Sequence, residues 1–208
     1  MLGKTVILGD SYSAFDGYIP KGYHSWYTTV SPEATDVNDA KQTWWYKVFD
    51  GKDNILLRNE SFSGTSICNT VRPQLSVETS FISRFDKLVS DGFFENNTPD
   101  TLLVFGGTND CWIEVPIGKP QYENFTKDDL KSFLPAVSYL ASRIKEVLPK
   151  TRVYWLINTD LTDEISNGIA DAAKRFGQNC IVFKEIDKHY GHPTVKGMEQ
   201  IAEVIKSI

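Results

Sequence analysis

Three polar segments of the chain contain side chains that could together carry out acyl transfer. Ser11 lies in the segment GDSYS, Asn109 in GGTND, and His192 in GHPT near the C-terminal end. Acyl transfer requires a nucleophile, a base that takes its proton, and hydrogen-bond donors for the oxyanion that develops on the carbonyl. A serine, a histidine and an asparagine amide can supply these three functions without a metal ion.

Each of these residues also has an ordinary structural explanation. Ser11 suits a turn or a helix cap, and Asn109 suits a loop in which its amide satisfies backbone groups. His192 precedes Pro193, which suits the first turn of a helix. The acyl-transfer interpretation is favoured because these segments, and a fourth, NESFSG with Gly64, all follow predicted strands.

Short apolar runs alternate with longer amphipathic segments, which is typical of parallel strands joined by crossover helices. The predicted strands are Thr5–Leu8, Asn54–Arg58, Thr101–Phe105, Arg152–Ile157 and Cys180–Phe183. The predicted helices are Gln42–Phe49, Thr79–Val89, Lys127–Leu148, Thr162–Phe176 and Val195–Ile205. The third helix is expected to begin at Thr126, which forms a capping-box pattern with Asp129.

Two of the predicted strands, TLLVF and VYWLI, are apolar at nearly every position. Such strands are covered on both faces, so the fold class predicted is α/β, a three-layer α/β/α sandwich around a parallel sheet. Ligands bind to these sheets outside the carboxyl ends of the strands, near the point where the strand order reverses. The polar segments that follow the strands are therefore expected to meet at one edge of the sheet.

Composition and charge limit the class of protein. The 208 residues predict a single domain over 1–208, and the net charge of −5 argues against a nucleic-acid partner. No apolar run approaches the length of a membrane span, and no export signal is visible. Three widely separated cysteines, Cys68, Cys111 and Cys180, favour a reducing cytoplasm over a disulfide framework. Neither a metal site nor a cofactor is predicted, since histidines are few and no nucleotide-binding glycine motif occurs.

The four segments, in this order, resemble the sequence blocks of the SGNH hydrolases, also called GDSL esterases and lipases. They are GDSYS, NESFSG, GGTND and HPTVKGMEQIA, and the match extends from residue 5 to residue 205. The resemblance implies a flavodoxin-like fold with a five-stranded parallel sheet and a serine ester hydrolase site. It also implies Ser11 as the nucleophile, His192 as the base, and an oxyanion hole formed by Ser11, Gly64 and Asn109.

The last segment departs from the family pattern. The family's supporting aspartate usually precedes the histidine by three residues, and here that position is His189, whereas the nearest carboxylate is Asp187. Asp187 is predicted to complete a triad with Ser11 and His192. The alternatives are a Ser-His dyad oriented by a backbone carbonyl, and a site in which His189 is the base.

Two long connections are predicted to form the walls of the substrate site. One follows Ser11 and is rich in aromatic residues, and the other follows Asn109. Residues expected to contact substrate are Asp10, Tyr12, Trp26 and Trp112. Amphipathic rings suit sugar faces, so the expected partner is a small ester, with an acetylated carbohydrate favoured over a long-chain lipid. A lipase or acyltransferase of the same family and a non-catalytic carbohydrate-binding domain are the alternatives.

Overall fold

A parallel sheet of five strands forms the centre of the fold. The computed structural model describes residues 1–30, 35–51 and 54–208. The strands are β1 (Lys4–Gly9), β2 (Ile55–Ser61), β3 (Thr101–Phe105), β4 (Arg152–Ile157) and β5 (Asn179–Val182). Their order is β2-β1-β3-β4-β5, and every neighbouring pair is parallel. This is the flavodoxin-like order, which confirms the predicted fold class and places the reversal of strand order between β1 and β3.

Helices cover both faces of the sheet. They are α1 (Trp44–Phe49), α2 (Phe81–Ser90), α3 (Phe93–Asn96), α4 (Thr108–Trp112), α5 (Phe133–Val147), α6 (Asp163–Arg175) and α7 (Val195–Lys206). Short 3-10 turns occur at Ala40–Gln42, Val77–Thr79 and Asp129–Lys131. A two-stranded antiparallel hairpin, β6 (Lys188–His189) and β7 (His192–Pro193), precedes α7. No helix in the described ranges is both long enough and apolar enough to cross a membrane.

Strand β3 shows why the sheet needs a helix layer on each face. All of its side chains are buried, and successive side chains of a strand point to opposite faces. Leu102 and Val104 join the core formed with α2, α5 and α6. Leu103 and Phe105 join the separate core formed with α1 and α7. The unbroken apolar run therefore produces the predicted three-layer sandwich.

The structure corrects the predicted helix Lys127–Leu148. Thr126 and Asp129 do bond reciprocally: the Asp129 carboxylate accepts from the Thr126 amide at 2.7 Å, and the Asp129 amide donates to Thr126 Oγ1 at 3.3 Å. This pair stabilises only a short turn, because the extended backbone of Ser132 (φ −108°, ψ 145°) interrupts the helical path. The α-helix begins afterwards, at Phe133.

Strand β2 continues further than its predicted end at Arg58. Polar residues extend it to Ser61, and two of them make buried hydrogen bonds. Asn59 Nδ2 donates to the Ser13 carbonyl at 2.8 Å, and Ser61 Oγ donates to Asn59 Oδ1 at 2.6 Å. Asn59 therefore belongs to the strand and supports the turn that follows Ser11.

A buried arginine on α2 ties the ends of the first two strands together. Arg84 is only 1% exposed and donates to the carbonyls of Gly9 (3.0 Å), Glu60 and Thr79 (2.9 Å) and to Thr65 Oγ1 (3.1 Å). Burial lowers the pKa of its guanidinium to about 10, and the charge on Glu60 opposes this shift. The side chain supplies buried donors to carbonyls near the ends of both strands, just before the loops of the site.

We expect Arg84→Met to destabilise the protein by about 3 kcal/mol, because several buried acceptors lose their donor. Urea unfolding measures this loss of stability, provided that the m-value of the variant equals that of the wild-type protein. Arg143→Met is the matched control, since Arg143 bonds Asp86 and Glu146 at a partly exposed position. Its loss should stay below about 1 kcal/mol. Equal losses for the two variants would contradict the role assigned to Arg84.

Candidate active site

Ser11 and His192 meet at the carboxyl end of β1, although they are 181 residues apart in the chain. Ser11 lies in the turn after β1, and His192 lies on β7 immediately before α7. His192 Nε2 is 3.0 Å from Ser11 Oγ, which is a hydrogen-bonding distance. Both side chains are buried, with 2% of Ser11 and 6% of His192 exposed.

The tautomer of His192 follows from its second contact. Nδ1 lies 3.2 Å from the Tyr190 carbonyl oxygen, which can only accept a hydrogen bond. Nδ1 therefore carries the proton in neutral His192 and donates it to that carbonyl. Nε2 is left with a lone pair facing Ser11, so it accepts the hydrogen bond from the Ser11 hydroxyl.

Aromatic side chains enclose the imidazole ring. Trp26 stacks on His192, with ring centroids 4.0 Å apart and planes 7° apart, and Trp112 contacts the ring edge-on at 5.4 Å. Burial lowers the pKa of His192 to about 4; the Tyr190 carbonyl opposes this shift, and the charges on Arg72 and Lys188 add to it. His192 is consequently a neutral proton acceptor at physiological pH.

Three N–H groups that could receive an oxyanion belong to Ser11, Gly64 and Asn109, which line one cavity. The backbone amides of Ser11 and Gly64 have no hydrogen-bond partner within residues 1–30, 35–51 and 54–208. Gly64 has a φ of +84°, a conformation that a glycine adopts without strain. The third group is the side-chain amide of Asn109, at the start of α4.

Contacts on both sides of the Asn109 amide determine its orientation. Arg72 Nη2 donates to Asn109 Oδ1 at 3.2 Å, and Asn109 Nδ2 donates to Asp10 Oδ2 at 3.4 Å. Because the guanidinium can only donate, it must face the oxygen of the amide. Asn109 Nδ2 is therefore held on the side of Asp10, the residue that precedes Ser11.

A cavity of about 520 Å³ opens over these groups. Ligand pockets of drug-sized molecules commonly have volumes of about 300–1,000 Å³. Its walls include Ser11, Trp26, Gly64, Asn109, Trp112 and His192. The Ser11 hydroxyl, the candidate oxyanion donors and two indole rings thus share one concave surface.

Comparison with protein families matches the GDSL-like lipase/acylhydrolase model to residues 3–208. The chain belongs to this family. The resemblance found in its four sequence segments is thereby confirmed.

Solved structures of other GDSL-like proteins have the same fold over the whole chain. One from Bacteroides ovatus, assigned to the GDSL-like lipases, is 41% identical with a TM-score of 0.90, and the match covers 100% of this chain and 97% of that chain. Another from Bacteroides uniformis, also assigned to the GDSL-like lipases, is 37% identical with a TM-score of 0.89. The match covers 99% of this chain and 94% of that chain. No curated protein matches the chain in sequence.

A more distant structural match is a family two carbohydrate esterase from Clostridium thermocellum in complex with cellohexaose. It is 14% identical with a TM-score of 0.65, and the match covers 99% of this chain and 62% of that chain. At this identity the match shows a shared fold.

The structure corrects the expected contact between Asp187 and His192 in this GDSL-like protein. The Asp187 carboxylate accepts a hydrogen bond from the Thr194 hydroxyl, and its other oxygen lies 4.0 Å from Lys196 Nζ. Asp187 thereby supports the start of α7. The Tyr190 carbonyl occupies the position at His192 Nδ1 that Asp187 was expected to fill. Among the predicted alternatives, this geometry corresponds to the dyad oriented by a backbone carbonyl.

Asp10 and Tyr12 lie behind the cavity, contrary to the expectation that they contact substrate. Asp10 is 1% exposed and Tyr12 is 0% exposed. The Asp10 carboxylate accepts from the Tyr12 amide at 3.0 Å, and burial raises its pKa to about 7. Trp26 and Trp112, in contrast, line the cavity, and their contact with substrate stays a prediction. The two buried residues therefore shape the loop after β1.

The Tyr12 hydroxyl holds the loop that carries His192. It donates to the Gly191 carbonyl at 2.6 Å and accepts from Asn158 Nδ2 at 3.0 Å. Lys188 Nζ donates in turn to Asn158 Oδ1 at 2.7 Å and to Asp160 Oδ2 at 2.6 Å. These hydrogen bonds position the loop that precedes His192, without a carboxylate at its ring.

Sequence reasoning missed Asn158 and Asp160, although a signal was present. The segment NTD follows β4 at the same sheet edge as the other polar segments. Because this segment has the pattern of an ordinary helix start before α6, the sequence does not indicate that it contacts the loop of His192.

Asp110, in the third family segment, bonds the loop that follows the second segment. Its carboxylate accepts from the amides of Ile67 at 2.8 Å and Cys68 at 3.1 Å. Burial raises its pKa to about 6, and these amide hydrogen bonds oppose the shift. Asp110 therefore fixes the Gly64 loop relative to Asn109.

Proposed function

We propose that this protein is a serine ester hydrolase that acts on a small acylated substrate. The observation that carries the proposal is the 3.0 Å contact between Ser11 Oγ and the unprotonated Nε2 of His192, made at the wall of the cavity. A serine is a weak nucleophile until a base removes its proton. The buried, neutral imidazole is positioned to do so.

In the first half of the reaction, His192 Nε2 takes the proton from Ser11 as Oγ bonds to the carbonyl carbon of the ester. The carbonyl electron pair moves onto its oxygen, and the amides of Ser11 and Gly64 with Asn109 Nδ2 stabilise the resulting oxyanion. Collapse of the tetrahedral intermediate breaks the bond to the alcohol. His192 returns its proton to the departing alkoxide, which leaves an acyl-Ser11.

In the second half, a water molecule takes the place of the alcohol. His192 removes one proton from the water while its oxygen attacks the acyl carbon. The second intermediate expels Ser11, which recovers its proton from His192, and the carboxylic acid is released. During both halves the imidazolium is stabilised by the Tyr190 carbonyl at Nδ1, 3.2 Å away.

The cavity supports an acetylated carbohydrate as the substrate. Trp26 is half-buried against His192, and Trp112 is 41% exposed at the cavity wall, so flat rings flank the nucleophile. Indole rings combine a large apolar face with a polar N–H, which suits the faces of sugar rings. The carbohydrate esterase from Clostridium thermocellum has the same fold and was crystallised with cellohexaose.

A fluorophosphonate probe tests the reaction class directly. We expect the wild-type protein to be labelled and Ser11→Ala to remain unlabelled, with Ser13→Ala as the control that retains labelling. An unlabelled wild-type protein would contradict the proposal and favour a carbohydrate-binding domain. A series of p-nitrophenyl esters tests the substrate class: acetate should be hydrolysed faster than long-chain esters, and the opposite order would favour a lipase.

The pH dependence of kcat/KM is expected to report the lowered pKa of His192. The reaction needs neutral His192, so activity is retained while pH falls and is lost as the imidazole becomes protonated near its pKa of about 4. The acid limb should lie well below pH 6. Steady-state rates on p-nitrophenyl acetate from pH 3.5 to 8 measure it, and His24→Gln is the control for the other cavity histidine. An acid limb at pH 6.5 or above would contradict the assignment of a buried His192 with a lowered pKa as the base.

A further inference from the structure

The cavity contains a positive charge, on Arg72, for which the proposed reaction supplies no counter-ion. Arg72 lines the wall next to Gly64 and Asn109, together with Gln74 and Leu75. A side-chain carbon built onto Gly64 would lie 3.8 Å from Arg72 Nε, which places the guanidinium beside the candidate oxyanion site. One of its nitrogens donates to Asn109 Oδ1.

No protein carboxylate balances this charge in the described part of the chain. Arg72 takes part in none of the ion pairs there. The cavity wall contains no aspartate or glutamate and no further lysine or arginine. Charges inside proteins are usually paired once they are fully buried, and Arg72 is half-buried in the cavity wall without such a partner. In a protein of net charge −5, this arginine gives the cavity the opposite sign to that of the whole chain.

The charge also opposes the chemistry of the neighbouring base. Arg72 disfavours the protonated state of His192, which forms during each half of the reaction. An anion bound by the guanidinium would remove this penalty. The unpaired cation is therefore compatible with efficient proton transfer when the substrate supplies the negative charge.

We propose that Arg72 binds a carboxylate on the alcohol portion of the substrate, so that the protein deacetylates acidic molecules such as uronic acid sugars. The inference rests on the proposed esterase function. The acetyl group has no charge, so the anion must belong to the alcohol that it esterifies. The planar guanidinium matches a carboxylate in shape, and a single arginine neutralises a single negative charge, whereas a phosphate dianion would leave charge unbalanced.

A pair of matched substrates tests this inference. We expect 3-acetoxybenzoate to be hydrolysed with a higher kcat/KM than its neutral isostere 3-acetoxybenzamide. Arg72→Gln should reduce this preference by about tenfold or more, and Arg72→Lys should retain part of it, because lysine keeps the charge but loses the planar pair of donors. Comparing the ratio between variants cancels the intrinsic reactivities of the two esters. The preference should also weaken as ionic strength rises.

Equal losses on both esters in Arg72→Gln would overturn the inference, because they would mean that Arg72 acts only through Asn109. The proposed esterase function fails separately, by the absence of fluorophosphonate labelling in the wild-type protein. Calorimetric binding of 3-hydroxybenzoate and 3-hydroxybenzamide to Ser11→Ala provides a readout without turnover. The inference is supported if Ser11→Ala binds 3-hydroxybenzoate and the double variant Ser11→Ala/Arg72→Gln does not. Equal binding of the two compounds to Ser11→Ala contradicts it.

Discussion

Replacement of His192 with alanine is expected to lower kcat for ester hydrolysis by roughly 10⁵-fold or more, while KM changes little. The reason is that His192 Nε2 is the only proton acceptor within hydrogen-bonding distance of Ser11 Oγ in the described residues. Without it, the serine must attack with its proton in place. Rate measurements with p-nitrophenyl acetate at high enzyme concentration can detect a loss of this size in kcat.

The informative control is Asp187→Asn. A carboxylate that orients the base of a triad contributes about 10⁴-fold to turnover. Here the Asp187 carboxylate contacts Thr194, and Nδ1 of His192 donates to the Tyr190 carbonyl. We therefore expect Asp187→Asn to lose less than about tenfold in kcat. A loss comparable to that of His192→Ala would show that Asp187 acts on His192, and would contradict the dyad.

The second large effect is expected for Asn109→Ala. Removal of one oxyanion donor typically lowers kcat by about 10²–10³-fold, because that hydrogen bond strengthens in the transition state. Contacts with Arg72 and Asp10 fix the orientation of the Asn109 amide, so alanine removes both the donor and its orientation. Separate measurement of kcat and KM for p-nitrophenyl acetate tests whether the loss falls on kcat.

Asn167→Ala, on the exposed face of α6, is the control for substitution of an amide elsewhere. It should leave both constants unchanged. If Asn109→Ala raised KM and left kcat intact, Asn109 would bind the ground state of the substrate, and its assignment to the oxyanion would be wrong.

The sequence determined most of the framework of this protein. The bounds of β3 and β4 agree with the predicted strands Thr101–Phe105 and Arg152–Ile157, because an unbroken apolar run has a strong preference for a doubly covered strand. The polar residues that follow such runs, among them Ser11 and Asn109, could be placed at one edge from the topology of parallel sheets.

The tertiary structure alone decided how these residues are supported. Sequence periodicity predicts whether a side chain is buried, but it does not predict which group that side chain will bond. Asp187 is five residues from His192 in the chain, yet the turn at Tyr190 (φ 46°) directs a carbonyl to the ring, and the carboxylate turns to Thr194. Tyr12 directly follows Ser11 in the chain, yet its side chain is buried behind the cavity, where its hydroxyl donates to the Gly191 carbonyl.

Arg72 shows the same limit at the cavity. Its segment contains no family motif, and its importance arises from its position beside Gly64 and Asn109 after the chain has folded. Local patterns of apolar residues are enough to specify the helix and sheet layers and the ends of the strands, since burial depends on the hydrophobicity of each side chain. Hydrogen-bond partners and unpaired charges depend on groups distant in the chain, so they are defined only once the loops are in place.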